Sequence, residues 1–225
     1  EALLEGWKKG LSNVWWIIDY NRQSLDSVIS DRLFGRFDEL FESMDWRVVT
    51  LKYGKRLLQA FEQPGGEALR KWIDDCSNDL YGALTYKGGT AWREHLARDL
   101  KGTVGIKALL DVHDDDSLHG LMTNLAGHDM GSVLEAFHGV YDDTPTCFIA
   151  YTIKGHRLPF AGHKDNHAGL MNPDQMELFR RSMGIAEGRE WDPFTGLEVA
   201  EAELRDFLAA VPFAARYPRR YAEPA

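Results

Sequence analysis

An apolar run, Trp15-Trp16-Ile17-Ile18, stops at Asp19-Tyr20-Asn21-Arg22-Gln23. Asn21 and Gln23 put neutral carbonyl oxygens where a buried strand gives way to a polar loop. Such oxygens are the ligand type that a hard cation such as Mg²⁺ accepts while it bridges a phosphate. The carboxyl end of a parallel strand is also where open α/β sheets bind ligands. Taken alone, such a pattern is more often an ordinary polar turn at a strand end.

Other reactive residue types carry less. Asp114-Asp115-Asp116 reads as a solvated turn capping the helix that carries Leu118, not as a metal site. His128, within Gly127-His128-Asp129, reads as structural, fixing a helix start. His113, His119 and His138 have no partner in the sequence. Cys76 and Cys147 lie far apart without metal-type spacing, and Cys147 sits in an apolar run, as a buried reduced thiol does. No Ser-His-Asp order, paired cysteines, P-loop or dinucleotide fingerprint offers a competing catalytic site.

The elements that must position Asn21 and Gln23 follow from patterning. Leu4, Trp7 and Leu11 mark a first helix that stops at Gly10. The strand at 14–19 is apolar on both faces, as a strand covered by helices on both sides should be. Asp31 could cap a helix carrying Leu33, Phe34, Phe37, Leu40, Phe41 and Met44. A strand at 46–51 completes a βαβ unit, whose crossover should be right-handed. Residues 53–126, broken at Pro64-Gly65-Gly66 and Gly88-Gly89, read as a mostly helical insertion. Asp129 is a plausible N-cap for a helix with Leu134, Phe137 and Val140 or Tyr141 inward, followed by a strand at 146–153. Lys154-Gly155 then opens a long loop. Asn172, Pro173 and Gln175 form a helix start of capping-box type, with Met176, Phe179 and Met183 as its stripe and Gly184 as its stop. A last helix is expected near 200–210, and 218–224 reads as a linker.

The chain has 225 residues, 44% apolar and 27% charged, enough for one substantial α/β domain with a tail. Its net charge of −9 argues against a nucleic-acid partner. No apolar stretch approaches the ~18 residues of a membrane span, so no membrane partner is expected and the expected compartment is the cytoplasm. The sequence opens in mid-helix without methionine, and the expectation is a piece of a longer polypeptide.

Two stretches carry a resemblance. The run from Trp15 to Asp26 is the first; the second joins Tyr151-Thr152-Ile153-Lys154-Gly155 to Gly162-His163-Lys164-Asp165-Asn166-His167-Ala168-Gly169. In this order they resemble two parts of the diphosphate-binding domain of the thiamine-diphosphate-dependent, transketolase-like family. The resemblance spans roughly residues 1–185 and is nearest to the homodimeric pyruvate dehydrogenase E1 component, a branch that Trp15-Trp16 and the Thr-Ile-Lys-Gly strand end favour. It implies an α/β fold, a mostly parallel sheet with helices on both faces and a helical insertion at about 53–126. Residues 186–225 would be a C-terminal helix and a linker to another domain.

By the same resemblance Asn21 would give Mg²⁺ a side-chain oxygen and Gln23 its backbone carbonyl. Lys164 and His167, with His163, would face the cofactor diphosphate, in a loop whose glycines let it close as a lid. The implied activity is decarboxylation of pyruvate or another 2-oxo acid, an oxidoreductase reaction with a lipoyl domain as acceptor. The alternatives are two-carbon ketol transfer between sugar phosphates, a transferase reaction, and a non-catalytic or split subunit needing a partner. The family's charged Mg²⁺ ligand, in an upstream Gly-Asp-Gly motif, and the glutamate that protonates the aminopyrimidine are both absent from this sequence. Ser27 stands where the family pattern has glycine. Catalysis is therefore expected to need a second domain or subunit of the same enzyme, family members being dimers, and the chain alone to show no turnover.

Overall fold

The structure, a computed structural model, describes residues 1–24, 27–28 and 34–212. Leu25, Asp26, Asp31, Leu33 and the expected linker at 218–224 lie outside the described residues. The chain divides into two compact units, Glu1–Leu170 and Met171–Ala225.

In the first unit a short helix, α1 (Ala2–Lys8), precedes strand β1 (Trp15–Tyr20). A small antiparallel ladder, β2 (Gln23–Ser24) with β3 (Ser27–Val28), follows it. Helix α2 (Phe34–Glu42) leads to β4 (Arg47–Leu51). Six helices come next: α3 (Lys55–Phe61), α4 (Gly66–Asp75), α5 (Asn78–Lys87), α6 (Gly89–Asp99), α7 (Ile106–Asp111) and α8 (Asp115–Met122). A 3₁₀ turn at Ala126–His128 and α9 (Met130–His138) return the chain to β5 (Thr146–Tyr151).

Strands β1, β5 and β4 form a parallel sheet in that order, with Tyr20 opposite Tyr151 and Leu51 opposite Ala150. The fold is therefore α/β, as the patterning implies. The last strand sits between the first two, so β1 and β4 are joined by a βαβ connection but do not pair. That arrangement makes all three carboxyl ends, and the loops leaving them, neighbours.

Burial follows strand order. Every residue of central β5 is buried, Cys147 included. Cys147, Ile149 and Tyr151 face one cluster, Phe148 and Ala150 the other, as a period of two requires. Helix α9 covers the second face through Val133, Ala136, Phe137 and Val140. The expected inward positions Leu134 and Tyr141 are exposed instead, because the apolar arc of α9 is centred on Val133, Ala136 and Phe137. Strand β1 also departs from expectation: it is an edge, and Trp15, Trp16 and Ile17 remain partly in solvent. The stripe of α1 is exposed too, at Leu4, Trp7 and Leu11.

The segment 53–126 is more than an appendage to the sheet. Leu57, Leu69, Leu84, Trp92, Leu96, Leu118 and Met122 are all fully buried and belong to one cluster with Tyr20, Ile149 and Tyr151. Asp114 caps α8 by accepting from the Ser117 amide at 2.7 Å, and Asp115 pairs with Arg93, so the acidic triplet is a capped turn.

The second unit holds α10 (Pro173–Ser182) and α11 (Glu201–Ala210). The expected capping box is present: Asn172 accepts from the Gln175 amide and Gln175 accepts from the Asn172 amide. Gly184, at φ 67°, ends α10. Helix α10 groups with this C-terminal unit, which begins at Met171.

Candidate functional site

The loops leaving β1 and β5 meet helix α5 around a narrow cleft. Asn21, Arg22 and Gln23 line it from the end of β1, Ile153 and Lys154 from beyond β5, and Asn78, Tyr81, Gly82 and Thr85 from α5. Gly162 closes it from the long loop. The two sequence stretches, more than a hundred residues apart, thus border one space at the carboxyl ends of adjacent parallel strands.

Local chemistry shapes each wall. The Asn21 Oδ1 accepts the Gln23 amide at 3.0 Å, an Asx turn that fixes how the loop leaves β1. One lone pair of that oxygen stays available for a ligand. The Gln23 Oε1 is buried without a hydrogen-bond partner, and so is the Thr85 hydroxyl. Two orphaned buried oxygens on one cleft are unusual, since such groups ordinarily find a partner or a bound species. Arg22 holds a left-handed backbone, φ 64°, and lays its guanidinium 4.1 Å over the Tyr81 ring. Tyr81 in turn donates to the Met122 carbonyl at 2.5 Å, and burial pushes its hydroxyl up to about 12. The cleft contains no carboxylate, histidine or cysteine among the described residues. It can bind and orient a group; it has no side chain suited to moving a proton near neutral pH.

Gly82 and Gly162 let loop and helix touch. A Cβ on Gly162, at φ 77°, would lie 2.7 Å from the Gly82 carbonyl oxygen, and one on Gly82 would lie 3.0 Å from the Gly162 oxygen. The loop is also stitched to itself: Asn166 Nδ2 donates to the Lys154 carbonyl at 2.7 Å, and the Gly162 amide donates there at 3.3 Å. So closed, the cleft has about 10 Å³ of internal space, room for one water or ion.

His163 and Lys164 lie next door, on a separate hollow of about 270 Å³ with Asp79, Tyr86 and Lys87, which meets the cleft only at Gly162. The His163 ring packs on Tyr86 at 4.7 Å, and Lys164 pairs with Asp165 at 3.2 Å. His167 is exposed and lines neither space. The structure thus unites Asn21 and Gln23 with Lys154 and leaves His163, Lys164 and His167 outside the cleft.

His128 is structural, in a different place from the one expected. Its Nε2 accepts the Ile153 amide at 2.7 Å, fixing the chain beyond β5, and its ring stacks on His156 at 3.8 Å. Asp129 alone caps the helix start, accepting from Ser132 and from the Lys55 amide. Sequence reasoning missed Arg22 and the α5 residues Asn78, Tyr81 and Thr85. One signal was present: a glycine, Gly82, inside a helical run, which marks close approach of another backbone.

No protein-family model matches the chain, and no curated protein matches it. Among the described residues no helix is long and apolar enough to cross a membrane, and no group of three or more His, Cys, Asp or Glu could hold a metal ion.

Proposed function

We propose that this chain is the diphosphate-holding part of a thiamine-diphosphate-dependent enzyme, of the type that decarboxylates pyruvate or another 2-oxo acid. The observation that carries the reading is the shared cleft of Asn21, Gln23 and Lys154, lying at the carboxyl ends of neighbouring parallel strands. The donor set suits the group. Asn21 Oδ1 and the orphaned Gln23 Oε1, in place of the Gln23 backbone carbonyl that the resemblance implies, are neutral acceptors for Mg²⁺, while Lys154 and the Thr85 hydroxyl are donors for phosphate oxygens. When bound, the cofactor supplies the carbanion that attacks a keto carbon.

The chain's own residues bind and orient. Asn21 holds the turn and offers one oxygen to the ion. Lys154 would offset charge that the ion leaves unbalanced on the diphosphate. Entry of a diphosphate requires the Lys154 to Gly169 loop to lift from α5, since the closed space holds only a water-sized body. Lifting would also free His163, Lys164 and His167 to approach the bound anion.

The test is a calorimetric titration of thiamine diphosphate with Mg²⁺ into the chain and into Asn21→Ala. Saturable binding that weakens about ten-fold or more in the variant, with an unchanged urea midpoint, is the expected result. Equal affinities in the two proteins would sink the assignment. The chain alone is expected to release no CO₂ from pyruvate, because no carboxylate, histidine or cysteine among the described residues lines the cleft.

A further inference from the structure

We propose that a second hollow, behind Arg22, binds a small monocarboxylate. It encloses about 260 Å³ and is lined by Tyr20, Arg22, Lys52, Ile73, Asp74 and Tyr151 among others. It therefore touches the ends of all three parallel strands: Tyr20 closes β1, Tyr151 closes β5 and Lys52 follows β4. Asn78 and Arg22 separate it from the narrow cleft, and both residues line both spaces.

The charges of the hollow do not cancel. Lys52 and Tyr53 both donate to the same Asp74 oxygen, and these partners outweigh burial and hold the Asp74 carboxyl below its ordinary range. Among the described residues the only other cation beside Asp74 is Arg70, which is exposed and stands 4.0 Å away. Asp74 is thus spoken for. Arg22 has no carboxylate partner among the described residues; its guanidinium is held on the Tyr81 ring, in a backbone conformation that L residues rarely adopt. A partly buried guanidinium facing a cavity with no counter-ion calls for an anion, and one net positive charge calls for a monoanion.

Shape narrows the class. A carboxylate matches the two-pronged guanidinium fork. Tyr20, Tyr151 and Ile73 make the remaining wall aromatic and aliphatic, which suits a short carbon chain. A volume of about 260 Å³, just below the usual range of ligand cavities, limits the acid to a small one. Inorganic phosphate, which has no apolar part, would lack the contact with the Tyr20, Ile73 and Tyr151 wall. The site does not depend on the cofactor reading, and it is tested with neither thiamine diphosphate nor Mg²⁺ present.

The experiment is an NMR titration of the 225-residue chain with butyrate, pyruvate and inorganic phosphate at fixed ionic strength. Both acids should give saturable shifts at Ile73 and Tyr151, and phosphate should not. Arg22→Met should weaken acid binding at least about ten-fold, and Arg22→Lys should recover part of it. Cys76→Phe, at another wall residue, should abolish binding by filling the hollow while keeping every charge. Asn21→Ala should change nothing here, which separates this site from the cofactor cleft. Absence of saturation with either acid, undiminished binding in Arg22→Met, or phosphate binding as tight as the acids would each overturn the proposal. If Arg22→Met fails to fold, the Arg22→Lys and Cys76→Phe proteins decide.

Discussion

The helices α3 to α8 and the edge strand β1 both carry tryptophans, yet these stand in opposite states. In the helices Trp92 is 0% exposed, ringed by Trp72 and Tyr81 at 6.1 and 5.2 Å. On the edge strand Trp15 is 43% exposed, though it packs on Phe137 and Phe148 at 5.0 and 5.2 Å. The difference is one of neighbours on every side against neighbours on two. A helix in a cluster is enclosed all round, whereas an edge strand is covered on its faces and open along its free edge. Stability of the first unit is thus concentrated away from the strand ends that form the cleft, and the loops at those ends can change without dissolving the core.

The largest expected effect tests that separation directly. Trp92→Ala should cost about 3–5 kcal/mol, through lost burial and a cavity in a site with no room to collapse. Trp15→Ala, stripping a ring that is already half in water, should cost roughly 1–2 kcal/mol. Urea denaturation of both variants gives the comparison. Equal costs would mean that the edge strand is as much a part of the core as the helices are.

What could be read from sequence differs between the same two regions. The β1 motif was legible because Asn21 and Gln23 are local: chain direction and an Asx turn suffice to place them. The strands at 46–51 and 146–153 were legible because Val48-Val49 and the run through Cys147 and Ile149 lie in short β-rich stretches. The helical region was not, because its core is shared among six helices of six to eleven residues that bury only two or three side chains each. So few turns leave no period to follow. Their ends are set by glycines at positive φ, Gly65, Gly88 and Gly105, which mark breaks without saying which helices pack together. Exposure of Trp15 and Trp16 could not be read at all: strand order, with β5 inserted between β1 and β4, decides it. Arg22 escaped notice for a related reason, since its value comes from Tyr81, fifty-nine positions away.

A smaller effect sharpens the contrast, because it acts where the sheet joins the long loop. Neutral His128 accepts the Ile153 amide; a protonated imidazole could not, as its Nε2 would carry a proton. Burial lowers the His128 pKa. Burial of its stacked face, then His128, Arg157 and His119, push His156 down to about 4, although solvent at its exposed side tempers that shift. Asp19 is the one carboxylate beside the pair among the described residues, and it opposes the shift at His128. Both histidines are therefore harder to protonate in the folded chain than in the unfolded one, whose histidines titrate near 6.5. Stability is full above about pH 6.5 and declines as pH falls toward about 4, since the unfolded state binds more protons there. Carboxylates held low by partners act below this window. The urea midpoint should fall between pH 6.5 and 4.5, and a His128→Gln, His156→Gln protein should lose part of that slope, the rest coming from His113 and His119, which burial also holds down. An unchanged slope would place the pH sensitivity elsewhere.

The smallest effect belongs to the second unit, where the most legible signal of the whole sequence lies. Asn172 closes a reciprocal pair with Gln175, and Pro173 fills a position whose amide would otherwise go unsatisfied. Asn172→Ala removes the acceptor for the Gln175 amide at 2.9 Å and should cost about 1 kcal/mol. No residue of α10 is buried, so its folding relies on local interactions more than α5 or α6 does, and capping carries a larger share of its stability. Hydrogen exchange at the Gln175 and Met176 amides is the proper measurement, because it reads the first turn itself. Exchange faster by about five-fold there, with the Trp92 amide unchanged, is the outcome of a purely local cap. Faster exchange at Trp92 as well would show that a signal written in four residues reaches the core of the first unit, and the separation between a stable helical core and locally held elements would have to be redrawn.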